Sequence, residues 1–242
     1  MRARHRHLNA RDAGAEIVLD ARFISGISDG SALTTWADRS GNGNDALRTS
    51  AGGVLFQSGE VNGLPAVEFD AANDGRVKID NFTITQNQLT ILAIASKSGK
   101  TATNNDNYSR IFSLSKNGAS DFNTLNGCLL YFTTTGPAIE AFRNSASLAS
   151  VSCTYYQHEL ITFLLDGSSL LLKVSGSDQS GTTSATALDA DEVGLGAPVS
   201  LGITDSFLNG FIAYFTLVKS VLSNPLKKRL EQSASYSFKI TY

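Results

Sequence analysis

Apolar residues along this chain fall in short clusters, and polar turn-formers separate the clusters at nearly every boundary. Ile17-Val18-Leu19 is the first, closed by Asp20 and the turn signals Gly26 and Gly30. Further runs predict strands at Ala66–Phe69, Arg76–Ile79, Leu89–Ser96, Arg110–Leu114, Cys128–Thr133, Ala138–Arg143, His158–Leu165, Leu170–Val174 and Phe211–Val218. All are short, with Gly, Asn, Asp and Ser between them, which is the pattern of an all-β domain. Leu160–Leu165 and Phe211–Val218 are apolar at nearly every position instead of alternating. Such a strand is covered on both faces, so both belong near the middle of a layered structure. Regular alternation along the second would put Phe211, Phe215 and Leu217 on one face and Ile212, Tyr214 and Val218 on the other. Asp166-Gly167, between two apolar runs, favours positive φ and marks a hairpin.

One stretch has a helical period. Ser223 is a suitable N-cap, Pro225 falls in the first turn, and Leu226, Leu230 and Ala234 recur at i, i+4 and i+8. After it, Tyr236–Tyr242 alternates and predicts a final half-buried strand. Residues 36 to 53 read as a loop rich in Asn-Gly steps.

Composition narrows the class. The chain has 242 residues, 42% hydrophobic and only 17% charged, with abundant Ser, Thr, Asn and Gly. It can bury a substantial core as one large sandwich-type domain, and no repeat or Pro-rich linker divides it. No run approaches the ~20 apolar residues of a membrane span, and no apolar segment follows the basic N-terminus as a secretory signal requires. Cys128 and Cys153 are the only cysteines and form no metal-ligand pair, so buried thiols in a reducing compartment are expected.

Charge is uneven. The first eleven residues carry Arg2, Arg4, Arg6 and Arg11, two histidines and no acid. Setting those four aside from 20 basic residues leaves 16 against 22 acidic ones, a body of about −6. Residues 1–15 thus form a basic arm ahead of a domain at 16–242. Either the arm is a frayed, solvated terminus, or its four arginines dock on an acidic partner or nucleic acid.

Three stretches resemble the concanavalin A-like (laminin-G-like) lectin/glucanase superfamily found in phage structural and bacterial surface proteins. The first is Leu19-Asp20-Ala21 followed by Trp36-Ala37-Asp38-Arg39-Ser40-Gly41-Asn42-Gly43-Asn44-Asp45-Ala46. The second is Asn62-Gly63-Leu64-Pro65-Ala66-Val67-Glu68-Phe69-Asp70. The third runs from Leu201-Gly202 through Leu208–Tyr214 to Leu222-Ser223 and the helix, with Ala213 and Tyr214 where the family usually has an acid. The resemblance spans about residues 16 to 240. It implies a two-sheet antiparallel jelly-roll sandwich with one short C-terminal helix.

The same superfamily includes glycoside hydrolases and lyases, so paired carboxylates matter. Retaining glycosidases need two about 5 Å apart. The closest spacings are Asp189/Asp191/Glu192, which reads as a surface loop, and Asp70/Asp74. The acidic and Gln-Ile-His patterns of the enzyme relatives are missing, and His158 has no nucleophile motif around it. No catalytic residues are assigned.

Asp38, Asn42, Asn44 and Asp45 put side-chain oxygens on one Gly-rich loop, as a calcium site would, but Asx side chains also brace turns without an ion. Asp70, Asn73 and Asp74 pose the same choice. Trp36 reads as a core anchor in preference to a sugar platform. The polar stretch Thr101–Tyr108 offers Asn104, Asn105, Asp106 and Tyr108 as candidate ligand contacts, against a solvated loop.

The leading expectation is a non-enzymatic structural or binding module, a phage virion component (decoration, head or tail-associated) made in the host cytoplasm. Its partners would be other virion proteins, further copies of itself or cell-surface glycans, with no membrane, no nucleic acid and no cofactor unless calcium. The alternative is a glycan-binding lectin domain of a bacterial surface protein; a polysaccharide-degrading enzyme ranks third.

Overall fold

The computed structural model describes residues 10–50, 52–80, 82–98, 109–116, 127–133, 136–143, 146–184, 186–198 and 206–241. In chain order the strands are β1 (Ile17–Asp20), β2 (Thr35–Trp36), β3 (Ala46–Arg48), β4 (Val54–Val61), β5 (Leu64–Phe69), β6 (Val77–Ile79), β7 (Gln88–Lys97) and β8 (Ser109–Ser115). There follow β9 (Cys128–Phe132), β10 (Ala138–Arg143), β11 (Ala146–Ser152), β12 (Glu159–Asp166), β13 (Ser169–Val174), β14 (Ser177–Thr182), β15 (Glu192–Leu195) and β16 (Gly210–Val218). Helix α1 (Asn224–Phe238) comes last. Two eight-stranded antiparallel sheets result. One runs β14-β13-β12-β7-β16-β5-β4 with β1 also on β16, and the other runs β11-β10-β9-β8-β15-β6-β3-β2. This is the expected all-β sandwich.

Between the sheets lies the main core, where Phe112 of the second sheet meets Phe163 and Phe215 of the first at ring distances of 5.9 and 6.0 Å. Trp36 is in the same core, 1% exposed. Among the described residues its indole nitrogen finds no hydrogen-bond partner, and the ring packs among apolar core side chains. A second apolar layer forms on the other face of the first sheet. There Val18, Leu92, Ile94, Leu160 and Tyr214 pack against Leu230, Ala234 and Phe238 of α1. β12 and β16 are apolar on both sides because core and helix sandwich them. Glu231, 2% exposed, fixes the helix by accepting from Thr162 Oγ1 (2.8 Å) and Lys173 Nζ (3.2 Å).

Five sequence expectations change. A β-bulge between Ile212 and Tyr214 shifts the register of β16, so Ile212 joins Phe215 and Leu217 in the core while Phe211 packs on the helix side with Tyr214 and Val218. One inserted residue reverses the alternation, which exchanges Phe211 and Ile212 between faces.

The final strand over Tyr236–Tyr242 does not form. Leu230, Ala234 and Phe238 extend the helical face by another turn, and Tyr236, at 73% exposure, points away from the body. The helix stops at Lys239, whose φ of 56° is left-handed. Ile240 N–H donates to the Ser235 carbonyl (3.0 Å) and Lys239 N–H to that of Tyr236 (3.4 Å), the Schellman pattern. Asn62, in the Asn62-Gly63 turn joining β4 to β5, donates to the Phe238 and Lys239 carbonyls at 3.0 and 3.1 Å. That side chain satisfies acceptors which the helix end leaves open.

The 36–53 segment is not all loop, since it contains the three-residue β3. Glu192 lies on buried β15, ion-paired to Lys78 of β6, and not in a surface loop. Finally, Ala10–Ala13 forms a 3-10 turn, and Ala10 and Ala15 are buried in the helix-side layer. Residues 10–15, expected in the arm, thus contribute side chains that pack on the body.

Candidate functional site

The two halves of the first sequence motif meet at one place. β1 ends in Asp20, whose carboxylate accepts from the Arg22 backbone (3.1 Å) and from Arg22 Nε (2.9 Å) and NH2 (2.5 Å). This hydrogen bonding raises the Arg22 pKa further, so the guanidinium stays charged. It also turns the chain so that Phe23 projects outward, 56% exposed.

The second half is the Gly-rich loop. Asp38 Oδ1 accepts from Val18 N–H (2.9 Å) and Ser40 N–H (2.9 Å), and Oδ2 from Ser40 Oγ (2.5 Å) and Asn44 N–H (3.1 Å). Asp45 Oδ1 accepts from Asp38 N–H at 2.8 Å. Asn42 and Asn44 donate their side-chain amides to the Glu16 carbonyl, at 3.1 and 2.9 Å. The structure does bring the four candidate cation ligands together. However, both Asp38 oxygens already face N–H and O–H donors, whose hydrogens occupy the directions a cation would take. The geometry is that of a braced turn. Asp70 likewise accepts from Ala72 N–H (3.0 Å) and Asn73 Nδ2 (2.7 Å), capping a 3-10 turn. Among the described residues no group of three or more His, Cys, Asp or Glu side chains is arranged to hold a metal.

The braced loop also delivers Arg39. Its N–H donates to the Val18 carbonyl at 2.7 Å, and its guanidinium carbon lies 4.5 Å from the centroid of the Phe23 ring. Arg22 lies 4.6 Å over Phe238 of α1. Gly41, with φ at +96°, passes against the guanidinium of Arg11. A side chain there would be strained by the backbone and would crowd that arginine.

Between these elements and α1 lies a cleft of about 370 Å³ with Val18, Tyr214, Ala234 and Phe238 among its lining residues, together with Arg11, Arg22, Arg39 and Phe23. Ser233 and Ser237 add hydroxyls from the helix. A second concavity shares Arg22 and Ser237 with it and lies along the end of α1, where Tyr236, Lys239 and Thr241 line it. Among the described lining residues Asp20 is the only carboxylate, and it is held by Arg22. Burial pushes the Tyr214 phenol up, so it remains neutral.

Of the expected arm residues, Arg11 reaches this cleft; Arg2, Arg4 and Arg6 lie outside the described residues. So do the proposed ligand contacts Asn104, Asn105, Asp106 and Tyr108. Sequence reasoning missed Arg22, Phe23 and Arg39, although all three lie within or directly after the motif segments. The signal was a cation or aromatic side chain at positions those motifs do not need for turning. His158 is half-buried, 3.8 Å from Glu60, with Phe211 edge-on at 6.2 Å. Cys128 and Cys153 are free thiols pushed up to about 12 by burial, and so are poor nucleophiles.

No family model and no curated protein matches this chain by sequence. Solved structures do match in shape. Trypanosoma rangeli sialidase in complex with sialic acid aligns at a TM-score of 0.58 and 16% identity, over 95% of this chain and 34% of the sialidase. Domain 4 of AbnA, a GH43 extracellular arabinanase from Geobacillus stearothermophilus, in complex with arabinotriose, aligns at 0.59 and 13%, over 85% of this chain and all of that domain. The botulinum neurotoxin serotype G binding domain aligns at 0.60 and 14%, over 92% and 51%. The likeness is one of fold. The chain spans about a third of the length of the sialidase chains it matches.

Proposed function

We propose that this domain is a non-catalytic glycan-binding module and that the cleft beside α1 is its binding site. The observation that carries this reading is the lining itself. The exposed ring of Phe23, arginine forks and serine hydroxyls converge on one concavity, as sugar recognition by apolar contact and hydrogen bonding requires. The volume of about 370 Å³ falls within the ~300–1,000 Å³ usual for small-ligand sites. A glycosidase of the two-carboxylate kind would need a second carboxylate there, whereas among the described residues the cleft offers Asp20, already committed to Arg22. The arabinotriose complex of AbnA domain 4 supports a sugar as the ligand class.

The setting we propose is a phage virion, where the cleft would meet host-surface glycans and the basic N-terminal segment would pair with an acidic neighbour. A glycan array probed with the 242-residue chain tests the module. Concentration-dependent binding with no release of reducing sugar is expected, while hydrolysis would overturn the non-catalytic reading. Peptide mass spectrometry of purified virions tests the setting. Detection only in a bacterial surface fraction would replace the virion with a cell-surface lectin.

A further inference from the structure

Resting on the glycan reading, we infer that the cleft selects acidic glycans, with the sugar oxyanion received by Arg39 beside Arg11 at the cleft wall.

Cations gather here on an otherwise acidic protein. Arg11, Arg22 and Arg39 line the cleft and Lys239 the adjoining concavity, and among the described lining residues Asp20 is the one carboxylate. Arg22 is neutralised by that carboxylate, and Arg39 adds a further guanidinium to the cleft wall. Outside the first eleven residues the chain has about six more acids than bases, so such a grouping is local and draws anions to this place.

Arg39 is in addition pre-positioned. Its guanidinium lies on the exposed ring of Phe23, while its backbone is hydrogen-bonded to β1. A guanidinium held over an aromatic face presents its planar N–H groups as a fork along one edge. It also loses little side-chain freedom on binding. That edge matches the two oxygens of a carboxylate or a sulfate ester, and paired charge-assisted hydrogen bonds are the strong kind. In the adjoining concavity, the exposed ring of Tyr236 provides a surface for a neighbouring sugar of the same chain.

The test is binding of the full chain to polygalacturonate (carboxylate), dextran sulfate (sulfate ester), neutral dextran, neutral arabinan and oligo(dT), at low and high salt. The expected result is binding to one or both acidic polysaccharides, weakened by salt, and roughly tenfold weaker in Arg39→Gln. Arg39→Lys, which keeps the charge but not the fork, should recover only part of the loss. The side chain of Arg39 is exposed, so both variants should melt like the parent. The two acidic polymers tell carboxylate from sulfate. Equal binding of neutral polymers, or full acidic binding by Arg39→Gln, would overturn the selectivity while leaving glycan binding intact. Binding of oligo(dT) above every polysaccharide would overturn it in favour of a nucleic-acid groove. Binding to none of the probes would bring down the selectivity together with the glycan reading.

Discussion

Asp38 Oδ1 accepts the backbone N–H of Val18 at 2.9 Å, which joins a Gly-rich loop to the edge of β1 across twenty residues of sequence. The same carboxylate takes three more hydrogen bonds from the loop. Asp38→Ala leaves these donors without an acceptor and should cost about 1–3 kcal/mol. Because the brace is made of hydrogen bonds, a chelator should leave the melting temperature of the parent protein unchanged. A rise on adding calcium chloride would restore the cation reading of Asp38, Asn42, Asn44 and Asp45.

Trp36 is packed in the inter-sheet core and is distant in role from the cleft. Trp36→Ala should destabilise by about 3–5 kcal/mol, seen in denaturant melts, with unchanged glycan affinity in whatever fraction stays folded. Lost binding at an unchanged melting point would make it a recognition residue instead.

The helix is a structural layer of the fold. Leu230→Ala removes apolar contact between α1 and the first sheet and should cost about 2–5 kcal/mol, read from thermal unfolding by circular dichroism. Its effect on the cleft should exceed that of an equally destabilising change in the inter-sheet core, since Leu230 also lines the cleft.

His158 gives a pH signature. Burial opposes its charged form and lowers its pKa, with weaker opposing pulls from Glu60 and Glu159. Lowered in the folded state, it contributes stability that is full above the unfolded value of about 6.5 and lost as pH falls through the folded value. His158→Gln should flatten the decline in stability just below that pH, measured by denaturant melts at a series of pH values.

The N-terminal segment can be cut in two places. Deleting residues 2–9 should leave the melting temperature nearly unchanged, because that stretch carries no apolar periodicity with which to pack on the sandwich. Extending the deletion to residue 11 removes Ala10 and Arg11 and should lower both stability and affinity for an acidic polymer. Equal effects of the two deletions would show that Ala10 and Arg11 add nothing.

The strands that were legible in the sequence are those with an apolar run: β7, β12, β13 and β16 bury nearly continuous or alternating side chains, and burial is what the pattern encodes. β14, Ser-Asp-Gln-Ser-Gly-Thr, was invisible because it is a polar edge strand held by backbone pairing to β13. The bulge in β16 leaves no compositional mark, which is why Phe211 and Ile212 exchanged faces. In Tyr236–Ile240 an alternation and a helical face coincide in Phe238, and tertiary contact with the sheet decides for the helix. The cleft was the least legible feature. Arg22 follows β1, Arg39 sits in the Gly-rich loop and Phe238 closes α1, and no local spacing announces that the three converge.

That convergence has a consequence for the order of events in folding. Val18, Asp20 and Arg22 on one wall face Leu230, Ala234 and Phe238 on the other, more than two hundred residues later. Thr216 Oγ1 donates to the Ile17 carbonyl across a similar separation, at 2.9 Å. Contacts this far apart are slow to form, because so much chain must be ordered before they close. The cleft is therefore expected to be among the last parts of the molecule to mature. Ligand capture would then report completed folding: partly folded or C-terminally truncated molecules could hold a sound inter-sheet core and still be unable to bind.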